Sequence, residues 1–522
     1  MKKTTRKIVL LMAAIALVAN MSGCGGDNTS EAPDGLWGSS NRSIQKDYTI
    51  DGNFGNTGNS VNGESKFSGT YYEDYGINPD TKVSEDSQST FALDVDTASY
   101  TKARNYIERG VLPPKESVRV EEFINYFKRH YTPPTNDTFS IYTEVAPSLS
   151  KKGYHVMEVG VQGKEVSLGE KKDSVLTFVI DVSGSMNMDN RLGLVKQSLN
   201  ILVDQLGEND SIGIVVYGTD GRTLLEHTSA DNKRLIKEKI NKLEPEGSTN
   251  ASEGLRLGYK MADKNFRDNA NNRIILCTDG VANQGLTDAE KILKTIEDYS
   301  AKGVTLSSIG FGMDNYNDIF LEKLADKGDG NYSYIDSLDE AKKIFTDELT
   351  SVLQVIAKDA KAQVEFDKNS VETYRLIGYE NRSIQDKDFE KDSIDAGEIG
   401  AGHAVTALYE LKLKEDAKDD LAVVKLRYKD PQTDKVDEVI KTVKAAEVKK
   451  DFYSATPRFR FVNMVSQFAE NLRSSEYSSI SIKQIYEFLK NDESKLAASD
   501  EDKEFIELVR KASNIGSNKQ RE

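Results

Sequence analysis

Between Val175 and Ile335 short apolar runs alternate with stretches whose apolar residues recur every three or four positions. The runs Val175–Ile180, Ser211–Tyr217, Thr223–Glu226, Arg273–Thr278, Val304–Phe311 and Asn331–Ile335 read as strands. The intervening stretches Arg191–Leu206, Asp231–Leu243, Ala251–Lys264, Asp288–Ala301 and Asp318–Lys327 read as amphipathic helices, and Leu338 to about Ala357 as a longer closing helix. Strands alternating with helices build a parallel sheet covered on both faces. Ser174–Ile180, apolar and largely β-branched, has the pattern of a central strand. The close pair 211–217 and 223–226 reads as a hairpin that adds one antiparallel edge strand. The expected fold class for residues 171–359 is therefore α/β: a doubly wound, mostly parallel, six-stranded sheet.

The flanks have other periods. Thr90–Asp96 alternates like a strand, Thr97 or Ser99 is placed to cap a helix over Tyr100–Arg109, and a second helix is expected over Val118–Arg129. With strand-like stretches at Phe139–Ala146 and Tyr154–Gly160, residues 89–170 form an N-terminal α+β module. Asp94 and Asp96 read as a strand edge and a helix cap rather than as metal ligands. Beyond Lys361 the period is two, giving a β-rich module over 360–450 with strands at Gln363–Asp367, Val371–Tyr379, Ala404–Leu413 and Leu421–Tyr428. Residues 451–522 are helical, with Phe459, Phe461, Met464, Val465 and Phe468 facing a core. Strands near 139–160 are expected to pair with those of 362–428, so that the central domain is inserted into a β-sandwich with its loops facing away.

Composition changes the picture at the amino end. Residues 24–88 are rich in Gly, Asn, Ser and Asp, which bury too little surface to offset ordering, so a flexible tether is expected, spanning about 45 Å if about 60 residues behave as a random coil. Trp37, Tyr48, Phe54, Phe67, Tyr71, Tyr72 and Tyr75 offer the alternative of docking on the fold. Residues 1–23 read as a signal peptide: Lys2, Lys3, Arg6 and Lys7 precede a short apolar run, Ile8–Ala19. Met21-Ser-Gly-Cys24 resembles a bacterial lipobox, which implies acylation at Cys24 and an extracytoplasmic protein anchored to the cell membrane. Of the 2 cysteines the other, Cys277, lies in an apolar run and reads as core. The formal net charge of −16, without a basic stripe, excludes nucleic acid as a partner class.

The candidate chemistry lies in three loops at one end of the predicted sheet. Asp181-Val-Ser183-Gly-Ser185 follows the central strand, Gly247-Ser-Thr249-Asn250 opens helix 251–264, and Thr278-Asp279-Gly280 ends strand 273–278. Hard oxygen donors at the carboxyl ends of strands suit a small divalent cation. The set Asp181, Ser183, Ser185, Thr249 and Asp279 resembles the metal-ion-dependent adhesion site of von Willebrand factor type A domains. That resemblance implies Mg²⁺ (or Mn²⁺ or Ca²⁺) held by Ser183, Ser185 and Thr249. Asp181 and Asp279 would act through water and hydrogen bonds, leaving one position open for an Asp or Glu carboxylate of a protein partner. The stretches Ser89–Tyr100, Arg119–Phe127, Arg375–Arg382 and Asp395–His403 further resemble the flanking modules of a bacterial family of type A domain lipoproteins. The expected function is a membrane-anchored binding protein with no small-molecule cofactor. The alternatives are an envelope scaffold with a structural metal and, behind it, a metal-assisted hydrolase. No phosphate loop, His-Glu-x-x-His or nucleophile elbow is present, and His130, His155, His227 and His403 are scattered, so an enzyme is not expected.

Overall fold

The computed structural model describes residues 72–519, apart from 94, 168–170, 281–288 and 314–316. The expectations for the signal peptide, for Cys24 and for most of the tether lie outside the described residues.

Residues 174–334 form the doubly wound sheet, in the strand order 332–334, 304–310, 271–278, 174–181, 211–217, 221–229. Every neighbouring pair is parallel except the last, where Gly221–Ser229 returns antiparallel along Ser211–Tyr217. Strand Ser174–Asp181 is central and buried along its whole length, because helices cover both faces. Apolar side chains on one face (Phe178, Ile180, Ile212, Ile275) meet Val195, Leu199 and Ile236 of the covering helices. Val179, Val215 and Ile274 meet Leu255, Tyr259 and Leu324 on the other. Cys277 is fully buried and free in this core, and burial pushes its thiol up to about 12. The helices Arg191–Gln205, Lys233–Asn241, Ala251–Lys264, Ala289–Ser300 and Asp318–Lys327 fall where the spacing places them.

The closing helix is a correction. It runs Leu338–Lys342, widens into a π turn over Lys343–Asp347, resumes at Leu349–Leu353 and stops. Val355 begins a strand that continues to Phe366, so Ala357 belongs to a sheet. That strand pairs with Gln88–Ala92 on one side and Asp420–Lys429 on the other. These are long-range pairings, and they outweigh a local helical period.

Outside the central domain the chain builds two sheets. One has the order 81–82, 371–377, 404–413, 155–163, 139–147, and the other 383–384, 88–92, 355–366, 420–429, 436–444. Met157, Val159 and Tyr409 of the first pack against Val364, Leu426 and Phe91 of the second in a common core. His155–Gly163, before the central domain, pairs antiparallel with Ala404–Leu413, after it, so the domain is inserted into a sandwich. Its two ends meet at the base of the sheet, where Lys172 N–H donates to Gln354 Oε1 at 3.2 Å. The loops after 181, 249 and 278 sit at the opposite edge. A helical layer of 98–108, 120–126, 457–472, 482–491 and 500–519 encloses Phe123, Phe127, Phe461, Phe468 and Phe505. Among the described residues no helix is long and apolar enough to cross a membrane.

Two further expectations are corrected by the structure, and one strand joins those expected. The tether does not extend to residue 88: Thr81–Lys82 pairs with Thr373 and Tyr374, Asn78 donates to the Leu376 and Gly378 carbonyls, and Val83 is buried. Backbone pairing orders this stretch, which composition cannot register. Neither Thr97 nor Ser99 caps a helix with its side chain. Helix Ala98–Glu108 is instead capped by Glu122, which accepts from Ser99 N at 2.7 Å. Finally, Val436–Lys444 forms an edge strand that the alternation of polar and apolar residues did not single out.

The long flanking motifs prove to be junctions. Asp318, on the helix Asp318–Lys327, is buried against Lys102 and Arg119, and Arg119 also grips Glu122. Asp96 accepts from Tyr332 N at 2.8 Å and from Arg382, which also reaches Asp326. Arg104 spans Asp336 and Glu340 at 2.6 and 2.7 Å. Asp94 is outside the described residues.

Candidate metal centre

Asp181 is the last residue of the central strand and is fully buried. Its Oδ1 accepts the Ser183 N–H at 2.8 Å and its Oδ2 accepts the Thr278 hydroxyl at 2.8 Å. One carboxylate thus folds its own loop and ties it to the neighbouring strand. The Ser183 and Ser185 hydroxyls lie 3.0 Å apart, Ser183 buried and Ser185 half-buried.

The second loop closes over the first. Gly184 N–H donates to the Gly247 carbonyl at 3.0 Å, and Glu246 N–H to Val182 O at 2.6 Å. Gly247 has φ +67°, and a Cβ there would stand 1.9 Å from Thr219 Oγ1, so glycine is required. Asn250 caps helix Ala251–Lys264 by accepting from Glu253 N. With that work done by Asn250, the buried Thr249 hydroxyl takes no hydrogen bond among the described residues.

In the third loop Thr278 passes its tie onward, accepting from Gly280 N at 3.1 Å. Asp279 is fully buried, and its Oδ2 accepts Nη1 of Arg191 at 2.7 Å. Burial, then the neighbouring Asp279 carboxylate, pushes the Asp181 carboxyl up to about 7. The loops of all five sequence-predicted residues therefore come together on one edge of the sheet. The donors are hydroxyls and carboxylates only, a hard oxygen set of the kind Mg²⁺ and Ca²⁺ take.

Sequence reasoning missed Arg191. A charged residue opening an amphipathic helix reads as solvated, and nothing local marks it as buried. Asp329, Asp395 and Glu398 bring carboxylate oxygens within 4.8 Å of one another at the base of the domain. Lys358 and Lys327 lie 3.8 and 3.3 Å from the first two and neutralise them. His227 is held between Thr177 Oγ1 and Ser211 Oγ at 3.0 and 3.1 Å, and burial pushes it down to about 4.

The family model of the von Willebrand factor type A domain matches residues 176–347, and a von Willebrand factor model matches 66–158. A model described as the C-terminal part of the uncharacterized protein YfbK matches 351–418 and 412–515. YfbK of Escherichia coli K12 is 38% identical over 433 residues, covering 78% of this chain and 74% of that protein. This chain belongs to the YfbK family of von Willebrand factor type A domain proteins. Human inter-alpha-trypsin inhibitor heavy chain H3 is 30% identical over 159 residues, which are 29% of this chain and 18% of that protein. Among solved structures, a von Willebrand factor type A protein from Catenulispora acidiphila is 14% identical, with a TM-score of 0.43, covering 74% of this chain and 91% of its own. For the YfbK family member described here, the type A domain points to binding of proteins, and such domains commonly hold a metal.

Proposed function

We propose that this YfbK family protein is an extracytoplasmic binding protein, lipid-anchored through Cys24, that captures an Asp or Glu carboxylate of a protein partner through a divalent cation. Mg²⁺ is the ion that fits best. Ser183, Ser185 and Thr249 would hold it, while Asp181 and Asp279 position the hydroxyl-bearing loops. The observation that carries this reading is the pair of touching Ser183 and Ser185 hydroxyls, clipped in place by Asp181, with the Thr249 loop closed over theirs through the Gly184 N–H to Gly247 carbonyl bond. Neutral oxygens as inner donors leave a cation enough positive character to draw an outside carboxylate, and Mg²⁺ readily keeps water that such a group can replace. A single directional contact of this kind selects partner geometry.

The test is capture from envelope extracts by the purified protein. Recovery of a partner is expected to need Mg²⁺ and to be lost with EDTA or in Thr249→Ala, while the melting temperature barely moves. A partner retained under EDTA would point instead to a scaffold.

A further inference from the structure

Arg191 is a buried charged group at this edge that the proposed function leaves unused. It opens helix Arg191–Gln205 and is 2% exposed. The chain reaches it through two successive left-handed residues, Asp189 (φ 46°) and Asn190 (φ 58°). Asp and Asn are the side chains that adopt this region most readily, and directly after them the arginine enters the protein instead of solvent. Room is made for it on the far side: Gly312 has φ +82°, and a Cβ there would lie 2.2 Å from Arg191 Nε. At the end of this path Nη1 donates to Asp279 Oδ2 at 2.7 Å, and both side chains are sealed from water, at 1% and 0% exposure.

Among the described residues Asp279 is one of two buried carboxylates at the site, the other being Asp181. Two carboxylates around a divalent cation would cancel its charge. Pairing Asp279 with the Arg191 guanidinium offsets part of that negative charge. We infer that Arg191 is a positioning residue that fixes Asp279 and sets the charge of the site, so that a bound divalent cation keeps net positive charge for a partner's carboxylate. This rests on the metal reading above and adds the residue that tunes it. Arg191 opposes the cation yet favours the complex, so its removal should tighten metal binding while weakening carboxylate binding. A purely structural arginine does not produce opposite signs.

The experiment uses Mn²⁺ alone as the first probe, titrated by electron paramagnetic resonance into the purified protein. Glutarate is then added to the Mn²⁺-loaded protein, followed by water-proton relaxation. Wild type, Arg191→Lys, Arg191→Met and the double variant Arg191→Met/Asp279→Asn are compared. The double variant removes both members of the ion pair, so it stays informative should Arg191→Met fold poorly. Arg191→Met is expected to bind Mn²⁺ about tenfold tighter or more and to lose its response to glutarate. Arg191→Lys is expected to respond to glutarate as wild type does, and the double variant, lacking the Asp279 carboxylate, is expected to lose the gain in Mn²⁺ affinity. Equal Mn²⁺ affinity in Arg191→Met and wild type, weaker binding in Arg191→Met, a double variant that keeps the tightened Mn²⁺ binding, or an Arg191→Lys variant that fails to respond to glutarate would overturn the inference. Wild-type protein that binds no Mn²⁺ would instead overturn the metal reading itself.

Discussion

Thr278 shows how much a single hydroxyl carries at this site: it donates to Asp181 and accepts from Gly280, joining two of the three loops. Thr278→Val keeps the shape and strands one buried Asp181 oxygen. The expected cost is about 1–3 kcal/mol of stability, read by urea denaturation, together with weaker Mg²⁺ binding by calorimetry. Glu121 makes a separate residue-scale prediction. It is buried on helix 120–126, accepts Tyr379 N–H at 2.9 Å, and has its other oxygen unpaired. Burial, then Glu380 and Glu122, push its carboxyl up to about 8. Above its ordinary carboxyl range and below about 8 the folded protein therefore holds a proton that the unfolded chain has lost. Its contribution makes stability fall as pH rises through that window. In Glu121→Gln denaturation at pH 6 and pH 8 should differ less than in wild type; an unchanged difference would assign the slope elsewhere.

At the scale of elements, the helix Asp318–Lys327 is fastened to the flanking helices by charge. Although burial opposes it, the Arg119 and Lys102 cations hold the Asp318 carboxyl well below the usual carboxylate range. Asp318→Ala takes from Lys102 and Arg119 the buried carboxylate they share, although Arg119 keeps Glu122, and should cost about 3–5 kcal/mol. Asp318→Leu combined with Lys102→Met should recover part of that loss in a melting experiment, since removing both members of a pair spares the orphaned charge. This clamp was invisible in the sequence, although Arg119 and Glu122 lie in a motif that stood out. Most of the central strands and helices were legible to within a few residues, because their periods are set by burial on one sheet that each segment meets locally. The helix expected to reach Ala357 was not legible past Leu353, since its fate is decided by strands 88–92 and 420–429, far away in the chain. The stretch 72–88 was misread for the same reason. Of the site, the five oxygen-bearing residues could be named from their loops, whereas Arg191 required knowing that Asp189 and Asn190 turn left-handed.

For the whole molecule, insertion of the type A domain into a sandwich places its entry and exit at one end of the sheet and the ion loops at the other. The domain is fastened at its entry and exit and also by the Asp318 and Arg104 junctions, so its ion loops keep a fixed attitude to the flanking modules. Cys24→Ala is expected to release the protein from the membrane fraction, with folding and Mg²⁺ binding unchanged; retention in the pellet would contradict the anchor. The most direct test of the central claim is a crystal structure grown with Mn²⁺ and read by anomalous scattering. The account predicts one strong peak about 2.0–2.2 Å from the Ser183, Ser185 and Thr249 hydroxyl oxygens. A map with no peak there, or with its peak at Asp329, Asp395 and Glu398, would contradict it.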